Sequence, residues 1–358
     1  MERSRTLNGR AASGNPPTRY LAQQTTREHE EGLDEPEAAP GATEFHLEHA
    51  RSIVQEIASP DVGPTRSINP YQGCEHGCAY CYARPTHAYW GYGAGVDFER
   101  HVLYKPDAPA LLEQAFKRPN WEPRTISLSG NTDCYQPAER RWRITRALLE
   151  VFLRYRHPVG IITKNSLVLR DLDLLEALAA DNLVRVHISI TTLRESLRRR
   201  MEPRTASGKR RLDVVRTLSQ AGIPVHAMVA PVIPALNDDE IPRILEAAAE
   251  AGAKSASMQV VRLNREVAPV FTAWLLEHYP QRMDKVLQGI RALHGGQLSD
   301  SQFGRRMRGV GPEADALHAL FHMVRRKYYS EETMPALNNH IFRRQGGTQL
   351  PLFGSHSR

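Results

Sequence analysis

Residues 69–85 read NPYQGCEHGCAYCYARP, and the interpretation of the whole chain turns on this stretch. Cys74, Cys78 and Cys81 are separated by three residues and then by two. Cysteine thiolates are the standard protein ligands of iron–sulfur clusters. Three thiolates in one loop can hold three irons of a cubane cluster and leave the fourth without a protein ligand. An open coordination position is what separates a catalytic metal site from a closed structural one. Gly73 and Gly77 allow the tight backbone that such a loop needs. The competing reading is a zinc ion held by these cysteines with His76 or Cys134. Structural zinc sites usually draw paired ligands from two separate turns, and the sequence offers no second pair. With four cysteines in 358 residues, a disulfide framework is not indicated.

Outward from the loop the chain alternates strand and helix patterns. The expected strands are Arg66–Asn69, Thr125–Ser129, Gly160–Thr163, Arg185–Ile190, Val225–Ala230 and Ser257–Val261. Helical patterns lie between them at Pro109–Phe116, Ile144–Tyr155, Asp171–Ala180, Arg210–Ala221 and Glu240–Ala251. The last two end in Ala-Gly, a helix stop signal. Such alternation favours an α/β fold with parallel strands and crossover helices. A doubly wound open sheet and an incomplete six-unit barrel both satisfy it. In barrels the chemistry sits at the C-terminal strand ends. Four regions are expected: a mostly disordered extension over 1–62 with a short helix around Phe45–Ile57, a barrel over 63–265, a helical segment over 266–345, and a flexible tail over 346–358. In the helical segment Trp274, Leu275, Val286, Ile290, Leu317, Leu320 and Phe321 are the expected core. Basic clusters at Arg305, Arg306, Arg308 and at Arg325, Arg326, Lys327 read as a solvated face.

Composition sets limits. Hydrophobic residues make up 41% of the chain, enough for an ordinary core. No run approaches the roughly 20 apolar residues of a membrane span, and MERSRTLNGRAASG at the start lacks a signal-peptide core. A cytoplasmic protein is expected. The net charge is +7, and only seven of 47 basic residues are lysine. Arginine suits bidentate phosphate contacts, and genomic base composition explains the same bias equally well.

Five segments carry a resemblance: SINPYQGCEHGCAYCYARPTHAY at 67–89, SGNTDCYQPAERR at 129–141, ITKN at 162–165, MEPRTAS at 201–207 and APVIPALND at 230–238. Together they resemble the radical S-adenosylmethionine (SAM) superfamily, in the branch related to spore photoproduct lyase, over about residues 65–262. The cysteine spacing, with aromatic Tyr80 just before the third cysteine, is the superfamily signature.

The resemblance implies an incomplete (β/α)6 barrel with a [4Fe-4S] cluster on Cys74, Cys78 and Cys81. It implies S-adenosyl-L-methionine on the open iron, cleaved reductively to methionine and a 5′-deoxyadenosyl radical that abstracts hydrogen from substrate. It places Gly130, Asn131, Thr132 and Asp133 near the SAM amino group, Lys164 near its carboxylate and Ser189 near its ribose. Cys134 would return a hydrogen atom to the substrate radical, although the lyase's own cysteine aligns nearer Gly130 or Asn131; an ordinary buried cysteine is the alternative. Glu202 and Arg204 match a family motif whose role the sequence does not explain. An electron donor such as flavodoxin or ferredoxin is implied, and a DNA lesion is the substrate by analogy only. Radical modification of a peptide or small molecule, and a non-enzymatic DNA-associated iron–sulfur protein, are the rival readings. In the tail, Gln349-Leu350-Pro351-Leu352-Phe353 is similar to the peptide by which bacterial proteins dock on the sliding clamp; folding back onto the protein's own core is its alternative.

Overall fold

The computed structural model describes residues 9–16, 42–61, 63–329 and 334–344. Ten strands occur there: β1 (Glu44–Leu47), β2 (Val54–Ser59), β3 (Gly63–Ile68), β4 (Tyr71–Gln72), β5 (His101–Tyr104), β6 (Ile126–Leu128), β7 (Val159–Thr163), β8 (Val184–Ser189), β9 (Val225–Val232) and β10 (Ser255–Val260). The main sheet has the order β10-β9-β8-β7-β6-β3-β2. Its strands β3 and β6 to β10 run parallel, and β2 closes one edge as an antiparallel hairpin on β3. Strands β3 and β10 do not pair, so the barrel is open. Each of the six expected strands is present, with no end moved by more than three residues.

Alternation along these strands divides their side chains between two environments. Leu128, Ile161, Val186 and Ala227 are fully buried in the main core. Their neighbours Ser127, Ile162 and Met228 line a cavity instead. The crossover helices supply the other half of the core. In Ile144–Tyr155, the residues Ile144, Leu148, Leu149, Val151, Phe152 and Tyr155 are buried, the helical spacing of one apolar face. The helices Gly208–Gln220 and Ile241–Glu250 end at Gly222 and Gly252, both left-handed at φ of 75° and 97°.

Two expectations about the extension require correction. The short helix around Phe45–Ile57 is absent, and its residues form β1 and β2 instead. β1 pairs in parallel with β5, and β2 with β3. Each strand satisfies its backbone on an available sheet edge, which outweighs the weak intrinsic stability of a short helix. Residues 9–16 are also not free of the body: Ala11 and Ala12 are buried. Their N–H groups donate to the two carboxylate oxygens of Glu99 at 3.2 and 3.1 Å.

The C-terminal part forms helices Val267–His278, Met283–Leu293 and Pro312–Tyr328. Trp274, Leu275, Val286, Ile290 and Phe321 are buried, and Leu317 and Leu320 pack against the core. Arg306 departs from the solvated-face reading: it forms an ion pair with Asp61 and donates to Ser59 Oγ at 2.9 Å. Among the described residues, no helix is long and apolar enough to cross a membrane. The expected clamp-docking peptide Gln349–Phe353 lies outside the described residues.

Candidate active site

The three cysteines leave strand β4 in a loop that is tied down from several sides. Cys74 N–H donates to Phe98 O at 2.8 Å, and Ala79 N–H to Met201 O at 3.0 Å. Gln136 accepts from Glu75 N–H at 2.9 Å and donates to Gly73 O at 3.1 Å. Arg84, fully buried, donates to Cys78 O at 3.0 and 2.9 Å and pairs with buried Glu99 at 2.5 Å. The glycines are required here. Gly73 has φ of 76°, and a Cβ on it would lie 2.5 Å from His101 O. Gly77 has φ of 65°, and its Cβ would lie 2.8 Å from the Glu99 carboxylate.

Burial raises the Cys74, Cys78 and Cys81 thiols above their ordinary range. At Cys74 the Asp133 carboxylate and the other two cysteines add to this. Ionised together, these sulfurs need compensating positive charge, which iron supplies. A single zinc ion fits poorly. Both proposed fourth zinc ligands are committed elsewhere. His76 Nδ1 lies 3.3 Å from Asp133, and its Nε2 lies 3.1 Å from Asn165 Nδ2. Cys134 is buried in the main core.

A cavity of about 390 Å³ opens over the loop at the C-terminal ends of the strands. Cys74, Cys78, Cys81, Tyr80, Gly130, Asn131, Thr132, Asp133, Lys164 and Ser189 all line it. These positions come from four separate stretches of sequence. The 129–134 turn begins at Ser129, with φ of 82°. Its hydroxyl donates to Thr132 O at 2.7 Å and accepts from Cys134 N–H at 2.8 Å. A Cβ at Gly130 would lie 2.7 Å from Ser67 Oγ. Asn131 N–H donates to Asn69 Oδ1 at 2.8 Å, and Thr132 Oγ1 donates to Tyr71 O at 2.6 Å. Asp133 accepts from Thr163 Oγ1 and from Lys164 N–H, both at 2.8 Å. Burial pushes its carboxyl upward, but His76 and the backbone N–H groups of Lys164 and Tyr135 outweigh that and hold it below the usual range. Asp133 therefore joins two strand ends to the cysteine loop.

Cys134 does not join the others. Its position five residues beyond the expected strand suggested the cavity, but the tight turn at Ser129 sends the side chain the other way. It is 0% exposed among core residues and absent from the cavity wall. Its carbonyl accepts from Thr145 Oγ1 at 2.6 Å. The hydrogen-donor role is not supported by this placement.

The motif residue Glu202, which the sequence leaves unexplained, is the anchor of a buried charge network. It is fully buried. Tyr80 Oη and Arg211 Nη2 donate to it, Thr191 Oγ1 donates at 2.7 Å, and Lys164 Nζ lies 3.6 Å away. Burial raises its carboxyl, but Arg211 and Lys164 more than reverse this and hold it well below the usual range. Lys164 also donates to Thr191 Oγ1 at 3.3 Å and to Ala230 O at 3.1 Å. Its ammonium therefore stands at the cavity wall with its position fixed. Arg204 lies away from the cavity and joins Glu75 at 3.4 Å to Gly9 O at 3.2 Å.

Two further wall residues escaped the sequence reading. Tyr82 Oη donates to Gly130 O at 2.7 Å, linking the cysteine loop to the 129–134 turn. Arg262 follows the last barrel strand, with its guanidinium 5.7 Å from the Tyr82 ring. Among the described residues, no carboxylate forms an ion pair with it. The rule that barrel chemistry sits at C-terminal strand ends was the signal that could have found Arg262.

A partial parallel barrel with a three-thiol loop at its C-terminal mouth defines an α/β enzyme scaffold built around an iron–sulfur site. A family model described as the Radical SAM superfamily matches residues 68–248. The chain belongs to this superfamily, whose enzymes use a [4Fe-4S] cluster and SAM and need an electron donor. It is 32% identical over 244 residues to an uncharacterized protein of Mycobacterium tuberculosis, covering 67% of this chain and 72% of that one. It is 31% identical over 194 residues to an uncharacterized protein of Methanocaldococcus jannaschii, covering 52% and 70%. Spore photoproduct lyase complexed with dinucleoside spore photoproduct shares the fold. The TM-score is 0.58 at 17% identity, over 82% of this chain and 85% of that structure.

Proposed function

We propose that Cys74, Cys78 and Cys81 hold the [4Fe-4S] cluster and that the cavity above them binds SAM beside a phosphate-bearing substrate, a lesion in DNA, in a lyase-type reaction. When bound, the cluster and SAM supply a 5′-deoxyadenosyl radical; the protein supplies position, charge and exclusion of water. The backbone of residues 130–133 would hold the SAM amino group, Lys164 its carboxylate and Ser189 its ribose; all of these residues line the cavity. Tyr80 is kept rigid by Glu202 and Thr191 under the same wall. The cavity volume falls within the roughly 300–1,000 Å³ of small-molecule sites.

The observation that carries the substrate class is Arg262. It is a half-buried guanidinium on the cavity wall. Among the described residues no carboxylate lies within ion-pair distance of it; the nearby Asp61 raises its pKa but is itself paired with Arg306. Burial, and then the nearby Arg306, lower its pKa. A guanidinium in that setting gains most from a bidentate anion such as phosphate. Nucleic acid satisfies this, and a protein with the same fold, spore photoproduct lyase, is seen complexed with a dinucleoside spore photoproduct.

The test is anaerobic. Cluster-loaded protein with dithionite and SAM should release 5′-deoxyadenosine, and ultraviolet-irradiated DNA should increase that release. Arg262→Met should weaken the apparent DNA affinity by about 10- to 100-fold, the value of a hydrogen bond to a charged group at about 1.5–3 kcal/mol. Stimulation by a peptide panel and none by irradiated DNA would overturn the substrate reading. No 5′-deoxyadenosine from protein with an intact cluster spectrum would overturn the enzymatic one.

A further inference from the structure

The small sheet beside the cysteine loop carries a second set of ligating side chains. β1 lies parallel to β5, with Glu44 directly opposite His101. Side chains two apart on a strand share a face, so His46 stands beside Glu44. His46 Nε2 lies 3.1 Å from His101 Nδ1. Glu44 Oε2 lies 3.4 Å from the same Nδ1. The three ligand atoms all fall within 4.8 Å of one another. Nitrogen and oxygen ligands bound tetrahedrally at about 2.0–2.1 Å are separated by about 3.3 Å. The two spacings from His101 Nδ1, 3.1 and 3.4 Å, match edges of that tetrahedron.

The surroundings hold the two rings in place. Tyr92 stacks on His101 at 4.5 Å between centroids, with the planes 8° apart, and also lies 5.6 Å from His46. His101 turns its other nitrogen, Nε2, towards Asp97 Oδ1 at 3.9 Å. A carboxylate behind a ligating histidine is the usual device that fixes its tautomer. Arg100 donates to the remaining oxygen of Glu44, Oε1, at 3.4 Å, leaving Oε2 for the site.

We propose that Glu44, His46 and His101 bind a divalent zinc ion, distinct from the iron–sulfur site, with solvent in the fourth position. Two imidazoles and one carboxylate suit zinc, which outranks iron(II) for such ligands. The ion would fasten β1 to β5. That strand also pairs with β4, which runs directly into Gly73 and Cys74. Zinc there would brace the sheet from which the cysteine loop departs.

The experiment uses the full chain with its cluster assembled. Wild type and the Glu44→Gln, His46→Ala and His101→Ala variants are incubated with zinc, desalted and analysed for metal. Zinc taken up by cysteines is common to all four proteins and cancels in the difference. Wild type should retain about one zinc more per chain than each variant, and zinc should raise the thermal midpoint of wild type alone. Circular dichroism and cluster absorbance establish that each variant is folded. Should an alanine variant not fold, Glu44→Gln, at a half-exposed and isosteric position, carries the comparison. Equal zinc content in wild type and folded Glu44→Gln, with no zinc-dependent midpoint shift, would overturn the site.

Discussion

Replacing Glu202 by Gln removes one charge from a fully buried network while keeping the side chain's size and an oxygen acceptor. Tyr80 and Thr191 can still donate to the amide oxygen. Arg211 cannot recover its partner: its side chain is 1% exposed. Breaking a buried pair by removing one charge costs about 3–5 kcal/mol, because the other charge stays buried and uncompensated. At an m value of about 3 kcal/mol/M this is a loss of about 1–1.7 M in urea midpoint. Asp213→Asn is the control. Asp213 and Arg216 are 36% and 51% exposed, so their pair contributes at most about 1 kcal/mol. The assay is anaerobic urea denaturation of cluster-loaded protein, followed by circular dichroism. Acidification provides a second readout. The folded carboxyl of Glu202 is held below its unfolded value of about 4.3. Its contribution is therefore complete above about pH 4.3 and is lost as the pH falls further towards the folded value. The gap between wild type and Glu202→Gln should narrow on that acid side. A Glu202→Gln loss no larger than that of Asp213→Asn, at a pH-independent gap, would refute the buried-network account.

Substituting Ala for Cys74, Cys78 or Cys81 should abolish the cluster's visible absorbance and 5′-deoxyadenosine release while leaving the barrel's far-ultraviolet dichroism. Gly73→Ala and Gly91→Ala separate strain from space. Both glycines have a left-handed φ, 76° and 78°, but only Gly73 has backbone oxygen 2.5 Å from the added Cβ. Gly91→Ala should cost about 1 kcal/mol, and Gly73→Ala clearly more, with faster loss of the cluster. Cys134→Ala should lower stability by about 1 kcal/mol as a small core truncation and leave product formation from substrate unchanged. Stalled turnover with normal SAM cleavage would return Cys134 to the chemistry.

The cysteine loop and the six barrel strands were legible because both are encoded locally. A ligand spacing is a short-range pattern, and the periods of strand and helix repeat within a few residues. Ile144–Tyr155 was recovered to the residue for that reason. The extension was not legible. Whether residues 44–47 become strand depends on the free edge of β5, more than fifty positions away, and Ala11 and Ala12 are ordered by Glu99.

The sequence by itself determined the three-thiol loop, the alternating α/β order and the stretches that meet at the barrel mouth. Only the tertiary structure decided which of their side chains face the cavity. Proximity in sequence brought Cys134 next to the 130–133 turn, yet the positive φ at Ser129 turned it into the core. Glu202 became interpretable only when folding placed Tyr80, Arg211 and Lys164 around it, and His46 met His101 only through strand pairing. Side-chain direction and long-range charge pairing depend on the packed chain as a whole, and no local pattern carries them.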